Sequence, residues 1–218
     1  MPDFGPRWIL VERVPIGSGG QSKAYLVSDI ADPSIRCVAK VLNGAALTDQ
    51  SPRWKRLEEE IAISKSFDHP NVVRVIDSGN TRQSGYPFFV MPFYSDRSLQ
   101  DNKKKFTSPA EVFKIFLDVC EGTAYIHGKS VVHRDLKPAN IFLDHGRAVV
   151  GDLGICFRFE AQSLTETHEV ATARWFGAPE LRDGHLELLS PCADVYSLGK
   201  NPLLAFCGTC IRSGRTAI

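Results

Sequence analysis

The stretch from Val131 to Gly154 constrains the fold more than any other part of the chain. It reads Val131-Val132-His133-Arg134-Asp135-Leu136-Lys137-Pro138-Ala139-Asn140-Ile141-Phe142-Leu143-Asp144, a turn, then Ala148-Val149-Val150-Gly151-Asp152-Leu153-Gly154. Two short apolar runs flank Asp144-His145-Gly146-Arg147, which predicts a β-hairpin. A polar loop enters the first strand, and a second aspartate follows the last one. The hairpin therefore gathers Asp135, Asn140 and Asp152, the groups that a phosphoryl-transfer site needs. A carboxylate such as Asp135 accepts a proton from a hydroxyl. Asn140 and Asp152 offer hard oxygen ligands of the kind Mg²⁺ takes.

The stretch resembles the catalytic loop and metal loop of eukaryotic-type (Hanks-type) protein kinases, written H-R-D-L-x-x-x-N followed by D-F-G. Here it stands as His133-Arg134-Asp135-Leu136-Lys137-Pro138-Ala139-Asn140 and Asp152-Leu153-Gly154. Leucine for phenylalanine keeps the apolar packing of that position. An isolated Asp-Leu-Gly would be an ordinary turn. Its place behind this catalytic loop makes it specific.

Composition sets the class. The formal net charge of +1 gives no reason to expect a nucleic acid or an anionic membrane as partner. No apolar run reaches the roughly 18 residues of a membrane span. Met1-Pro2-Asp3-Phe4-Gly5-Pro6-Arg7 has no apolar core of a signal peptide. The 6 cysteines lack a paired C-x-x-C framework, so the thiols read as reduced and the compartment as cytoplasmic.

Landmarks around the central stretch follow in order. Trp8 to Val14 alternates as a first strand. Ile16-Gly17-Ser18-Gly19-Gly20-Gln21-Ser22 then leads into a strand from Ala24 to Val27. Glycines at Gly17, Gly19 and Gly20 let backbone N–H groups approach phosphate oxygens. A strand after the loop, rather than a helix, argues against a dinucleotide fingerprint. The loop is similar to the kinase glycine-rich loop, with Ser22 in place of the third glycine. Cys37 to Leu42 is the next strand, and a lysine inside it needs a partner if buried. Val38-Ala39-Lys40 matches the kinase strand whose lysine binds the α- and β-phosphates.

Pro52 to Phe67 reads as a helix with Leu57, Ile61, Ser64 and Phe67 on one face. Asp68-His69-Pro70-Asn71 resembles the loop after the kinase regulatory helix, and counting back selects Glu60 as the partner of Lys40. Ser64 stands where the family has a bulky apolar residue. Val72 to Ile76 and Pro87 to Met91 read as strands. Phe88 to Tyr94 resembles the hinge, with Met91 behind the adenine and the backbone at Tyr94 on its edge. Ser108-Pro109-Ala110-Glu111 is a capping box. Phe113, Phe116, Leu117, Cys120 and Ala124 form the expected core stripe of the helix that follows. Ala178-Pro179-Glu180 resembles the motif that closes the activation segment. Before it lie Ser163, Thr165, Thr167 and Thr172, candidates for a phosphate held by Arg134. The family's substrate-site threonine falls on Ala173. Asp194-Val195-Tyr196-Ser197-Leu198-Gly199 resembles the start of the central helix, whose aspartate accepts hydrogen bonds from the catalytic-loop backbone.

The resemblance implies an α+β, two-lobed fold: a β-rich lobe with hinge over 8–94, and a partial α-rich lobe over 95–200. It implies ATP and Mg²⁺ as cofactors and a protein serine or threonine hydroxyl as acceptor. Asp135 would be the base, Lys137 would neutralise the transferring phosphoryl group, and Asn140 and Asp152 would hold the metal. Ile16, Gly17, Gly19, Gly20, Ala24, Ala39, Lys40, Glu60, Met91, Tyr94 and Phe142 would surround the nucleotide. Two alternatives stay open: a nucleotide-binding module without turnover, pointed to by Ser22, Ser64 and above all the expected incompleteness of the large lobe, and a small-molecule phosphotransferase of the same broad fold. Residues 201–218 follow no family pattern. Lys200-Asn201 can be encoded by AAA AAT, and loss of one adenine permits the reading Lys-Ile-Leu-Tyr-Trp-Leu-Phe-Ala-Gly, which resembles a continued central helix. The expectation is an out-of-frame tail after about Lys200 and an incomplete large lobe.

Overall fold

A computed structural model describes residues 2–18, 22–42, 61–102, 108–152, 176–182 and 190–210, the last ten by backbone alone. The chain forms two compact units. Of the described residues, the first unit holds 2–18, 22–42, 61–68 and 73–93, and the second holds 69–72 and those from 94 onward.

The first unit is built on an antiparallel sheet. Its strands are β1 (Trp8–Leu10), β2 (Gly17–Ser18), β3 (Ser22–Asp29), β4 (Arg36–Leu42), β5 (Asp77–Asn80) and β6 (Pro87–Pro92). The order is β1-β3-β4-β6-β5, with β2 also on β3. Alternation sends every second residue of β3, β4 and β6 to one face. Tyr25, Val27, Cys37, Ala39, Val41, Phe88 and Val90 meet there with Phe4 and Trp8 in one buried cluster. Burial pushes the Cys37 thiol pKa up. The Trp8 indole N–H donates to Asp77 at 2.8 Å, and Arg7 both pairs with Asp29 and covers the Trp8 ring. Their hydrogen bond raises the Arg7 pKa and lowers that of Asp29. Residues 61–65 are helical, with Ile61, Ser64 and Phe67 buried.

The second unit carries helix α1 (Pro109–Gly128), a 3₁₀ turn (Pro138–Asn140), the hairpin β7 (Ile141–Asp144) and β8 (Arg147–Val150), the short α2 (Pro179–Arg182) and α3 (Pro191–Cys210). Ser108 and Glu111 cap α1 reciprocally, with proline in the first turn. His145 and Gly146 both have positive φ, as a tight primed turn between two strands requires. The expected hairpin is therefore formed, in register Ile141 to Val150.

Several local expectations need correction. The first strand stops at Leu10 rather than Val14: Trp8 to Leu10 pair in register with β3, and Val11 adds one last backbone bond, to the Leu26 carbonyl at 2.9 Å. Val72 to Ile76 is not a strand: Val72 makes one isolated bridge to Val150, and the edge strand begins at Asp77. Val72, Val73 and Val75 are buried without a ladder, so their apolar character reflects packing rather than strand pairing. The core stripe of α1 is also rotated. Phe113 is 59% and Leu117 44% exposed, whereas Val112, Ile115, Val119 and Ile126 are buried. Two apolar stripes share this helix, and packing on β8 selects the second. Helix α3 runs through Asn201-Pro202 to Cys210.

Gly122 lies on the buried face of α1, where a Cβ would fall 2.3 Å from the Asn71 carbonyl oxygen. The same Asn71 carbonyl accepts from Val150, and its side chain donates to the Ala148 carbonyl. We expect Gly122→Ala to destabilise the protein by about 1–3 kcal/mol through overpacking. Helix propensity alone would favour alanine by about 1 kcal/mol. Denaturant midpoints decide between the two signs, and a stabilised variant would refute the close approach.

Candidate active site

In the first unit, one sheet face carries the nucleotide candidates. Ile16 N–H donates to the Ala24 carbonyl at 2.8 Å, and Gly17 pairs with Ala24. Ala24 lies opposite Lys40, which lies opposite Phe89, so the three share a face. Val38 and Met91 form the next row of that face. Ala39 does not belong to it. Successive strand residues point to opposite faces, and Ala39 is fully buried in the cluster around Phe4. Ala39, expected beside the nucleotide, therefore lies on the face opposite Lys40, whereas Val38, two residues before Lys40, lies on Lys40's own face. Gly19, Gly20 and Glu60 lie outside the described residues, as do Leu153, Gly154 and the hydroxyls Ser163, Thr165, Thr167 and Thr172.

In the second unit, the loop before β7 brings Asp135, Lys137 and Asn140 together. Lys137 Nζ donates to Asp135 Oδ2 at 2.7 Å, both side chains being 18% exposed. Asn140 Nδ2 donates to the same oxygen and to the Asp135 backbone carbonyl, each at 2.9 Å. Two donors thus fix one carboxylate oxygen. The Asn140 amide nitrogen is committed to Asp135, so its carbonyl Oδ1 is the atom suited to a hard cation. Asn140 is placed by the 3₁₀ turn, which Pro138 favours with its fixed φ. The Gly151 N–H donates to the Asn140 carbonyl at 2.9 Å, tying the start of the Asp152 segment to the catalytic loop.

A buried framework holds this loop. His133 is fully buried. Its Nδ1 accepts from the Asp135 N–H at 3.3 Å, so Nε2 carries the proton and donates to the Gly151 carbonyl at 2.8 Å. Asp194, at the start of α3, is fully buried as well. Its two oxygens accept from the backbone N–H groups of His133 at 2.7 Å and Arg134 at 2.8 Å. His127, in the last turn of α1, meets Asp194 Oδ2 at 2.8 Å. Arg134 and Asp152 have φ of 70° and 61°. Such left-handed residues cost free energy without glycine, and they persist where surrounding bonds over-determine the backbone.

Tyr94 and Phe142 also meet in the second unit. Their rings stack at 5.4 Å between centroids, 15° apart. Burial pushes the Tyr94 pKa up to about 12, with a smaller contribution from Asp144. The segment after Tyr94 docks on the site through backbone bonds from Leu99 to Ile141, Gln100 to Pro138 and Leu143 to Arg97.

The protein kinase domain model matches residues 10–215 of this chain. The chain belongs to the protein kinase family. Its two units are the β-rich and α-rich parts of the two-lobed kinase fold. Among similar proteins, the serine/threonine-protein kinase PrkC of Bacillus subtilis (strain 168) is 30% identical over 188 residues, 84% of this chain and 28% of PrkC. PknB of Mycobacterium leprae (strain TN), also named a serine/threonine-protein kinase, is 30% identical over 190 residues, 84% of this chain and 30% of PknB. The serine/threonine-protein kinase CST20 of Candida albicans (strain WO-1) is 29% identical over 196 residues, 89% of this chain and 15% of CST20. The kinase domain thus spans less than a third of these relatives. The family match runs past Lys200, where the motif-by-motif resemblance ends.

Sequence reasoning did not single out three residues that lie beside these candidates. His127 looks like an ordinary histidine in the sequence, and His133, though it opens the H-R-D pattern, has no visible partner there; their contacts with Asp194 and Gly151 come from far along the chain. Val38 was legible, since the two-residue period of a strand places it with Lys40. Among the described residues, no helix is long and apolar enough to cross a membrane.

Proposed function

We propose that this domain transfers the γ-phosphoryl group of ATP to a serine or threonine hydroxyl of a protein. The observation that carries the reading is Asp135, whose carboxylate is fixed by Lys137 and Asn140 in a loop anchored on Asp194. Asp135 would use its other carboxylate oxygen to orient an acceptor hydroxyl and take its proton. Lys137 offers positive charge beside it for the transferring phosphoryl oxygens. Lys40 would bind α- and β-phosphate oxygens from a face shared with Ala24, Val38 and Met91, and Gly17 would bring backbone N–H groups to the phosphates. Tyr94 and Phe142 would give the adenine a hydrogen-bonding edge and an aromatic surface. Asn140 Oδ1 and the Asp152 carboxylate suit Mg²⁺, which takes few protein ligands and completes its shell with phosphate and water. When bound, that ion neutralises phosphate charge. The similarity to proteins named serine/threonine kinases, and the Lys137-Pro138-Ala139 filling of the loop, support a serine or threonine acceptor over tyrosine. A reduced, cytoplasmic setting would go with the free thiols of Cys37, Cys120 and Cys192 among the described residues. Incubation with γ-labelled ATP, Mg²⁺ and a generic protein acceptor tests the reading: labelled phosphoserine or phosphothreonine is expected, and its absence at saturating ATP would sink turnover.

One observation favours the second reading, nucleotide binding without turnover. Ser64 is only 2% exposed, at a position where the resemblance leads one to expect a bulky apolar side chain. Nucleotide-dependent thermal stabilisation without any labelled product would select that reading.

The metal assignment yields a separate expectation. Asp152→Asn should weaken ATP binding in the presence of Mg²⁺ by tenfold or more, roughly one hard ligand's worth, and leave metal-free binding nearly unchanged. Calorimetry with Mg²⁺ and with a chelator makes the comparison. Equal losses under both conditions would remove Asp152 from the metal site.

A further inference from the structure

We propose that Phe4 is a positioning residue for Lys40, acting from the reverse face of the sheet. Strand β4 lies between β3 and β6. On its reverse face, Ala39 is opposite Tyr25 of β3, and Val41 is opposite Phe88 of β6. The Phe4 ring meets both aromatic neighbours. Its centroid lies 5.9 Å from that of Tyr25 in a tilted contact and 5.1 Å from that of Phe88 in an edge-to-face contact. Phe4 therefore lies across β4 at Ala39 and Val41, the two residues that flank Lys40. Lys40 itself projects from the other face.

Phe4 is held there from both sides. The Arg82 N–H donates to the Asp3 carbonyl at 3.1 Å. Gly5 takes a φ of 84°, available to glycine at no steric cost, and its N–H donates to Asp3 Oδ1. Arg7 Nε pairs with Asp29 at 2.8 Å, and Trp8 enters β1 against Asp29. Residues 3–8 thus form a strap across the sheet, and Phe4 is its buried wedge, 3% exposed. The reason it bears on Lys40 is local. Ala39 is small and supplies little bulk behind the lysine. Removing the Phe4 ring leaves a void at Ala39 and Val41, and partial collapse of β4 into it turns the Cα–Cβ direction of Lys40.

This inference rests on the reading of Lys40 as a phosphate ligand, so its test carries two readouts. The full chain is compared with Phe4→Leu and Phe4→Ala well below each unfolding midpoint. ATP affinity should fall in the order wild type, leucine, alanine, by about three- to thirtyfold at the end of the series. Adenosine affinity should not change, because adenosine lacks the phosphates. In a Lys40→Met background, Phe4→Ala should cause no further loss of ATP affinity. A loss that adds in full there, or that appears equally for adenosine, overturns the proposal. The second readout needs no nucleotide: competitive acetylation followed by mass spectrometry. Lys40 should change its labelling rate in the Phe4 variants, while Lys114 and Lys65 keep theirs. If wild-type chain binds no ATP, the nucleotide reading fails, and acetylation still decides the positioning. If Phe4→Ala does not fold, Phe4→Leu alone is compared, and an unchanged Lys40 rate refutes it.

Discussion

Asp135→Asn should lower phosphoryl transfer by about 10²- to 10⁴-fold, the usual worth of a positioned general base, and leave ATP affinity within a few-fold of wild type. Asparagine is nearly the same shape, so Lys137 and Asn140 keep a polar neighbour. What disappears is an oxygen able to take the hydroxyl proton. Asp135 is also fixed from behind, since its N–H reaches His133 Nδ1 at 3.3 Å and its carbonyl accepts from Asn140 at 2.9 Å. The backbone should therefore stay in place when the carboxylate is changed, and the loss should appear in kcat rather than in nucleotide binding. Labelled-phosphate assays at saturating ATP, with calorimetry of ATP binding, separate the two quantities. Turnover near wild type would remove Asp135 from its role. A parallel loss of ATP binding would assign it to nucleotide contact instead.

The largest expected effect on stability belongs to Asp194→Ala. The carboxylate is fully buried and accepts from two backbone N–H groups of the catalytic loop and meets His127. Alanine would leave the N–H groups of His133 and Arg134 without an acceptor in a buried place. Each such orphan costs about 1–3 kcal/mol, giving roughly 2–6 kcal/mol together. A domain is stabilised by only about 5–15 kcal/mol in total, so the variant should be largely unfolded or should release the loop. Two measurements test this. Denaturant unfolding should show a large drop in midpoint, and hydrogen exchange should show the amides of His133 and Arg134 losing protection first. A change below about 1 kcal/mol would mean that water or another group satisfies these donors.

The family and the order of the landmarks were legible along the chain. They were so because the chemistry of the catalytic loop is local. Asp135, Lys137 and Asn140 lie within six consecutive positions, and proline chemistry in a 3₁₀ turn brings them together at the entry to one hairpin. The capping box at Ser108 was legible for the same reason, since a cap closes over four residues. Strand alternation even carried the information that Lys40 and Val38 share a face, although the motif Val38-Ala39-Lys40 drew Ala39 into the site.

Features that depend on distant partners emerge from packing alone. Two apolar stripes run along α1, and helical periodicity cannot choose between them. The packing surface of β8, with the close approach of Asn71 to Gly122, buries the stripe through Val112, Ile115, Val119 and Ile126. Val72 to Val75 has strand-like composition, yet its valines fill space while the edge of the sheet is taken by Asp77 to Asn80. His127 and His133 acquire meaning only from Asp194 and Gly151, 67 and 18 residues away in the chain. Phe4 is the extreme case: a lone aromatic between an aspartate and a glycine, with no periodic pattern, becomes the wedge behind β4 because three strands bring Tyr25, Ala39 and Phe88 to one face. Local hydrogen bonding and steric preference are written in neighbouring residues. The choice of which apolar surface is buried is made by whatever packs against it, and that is settled only when the whole domain has folded.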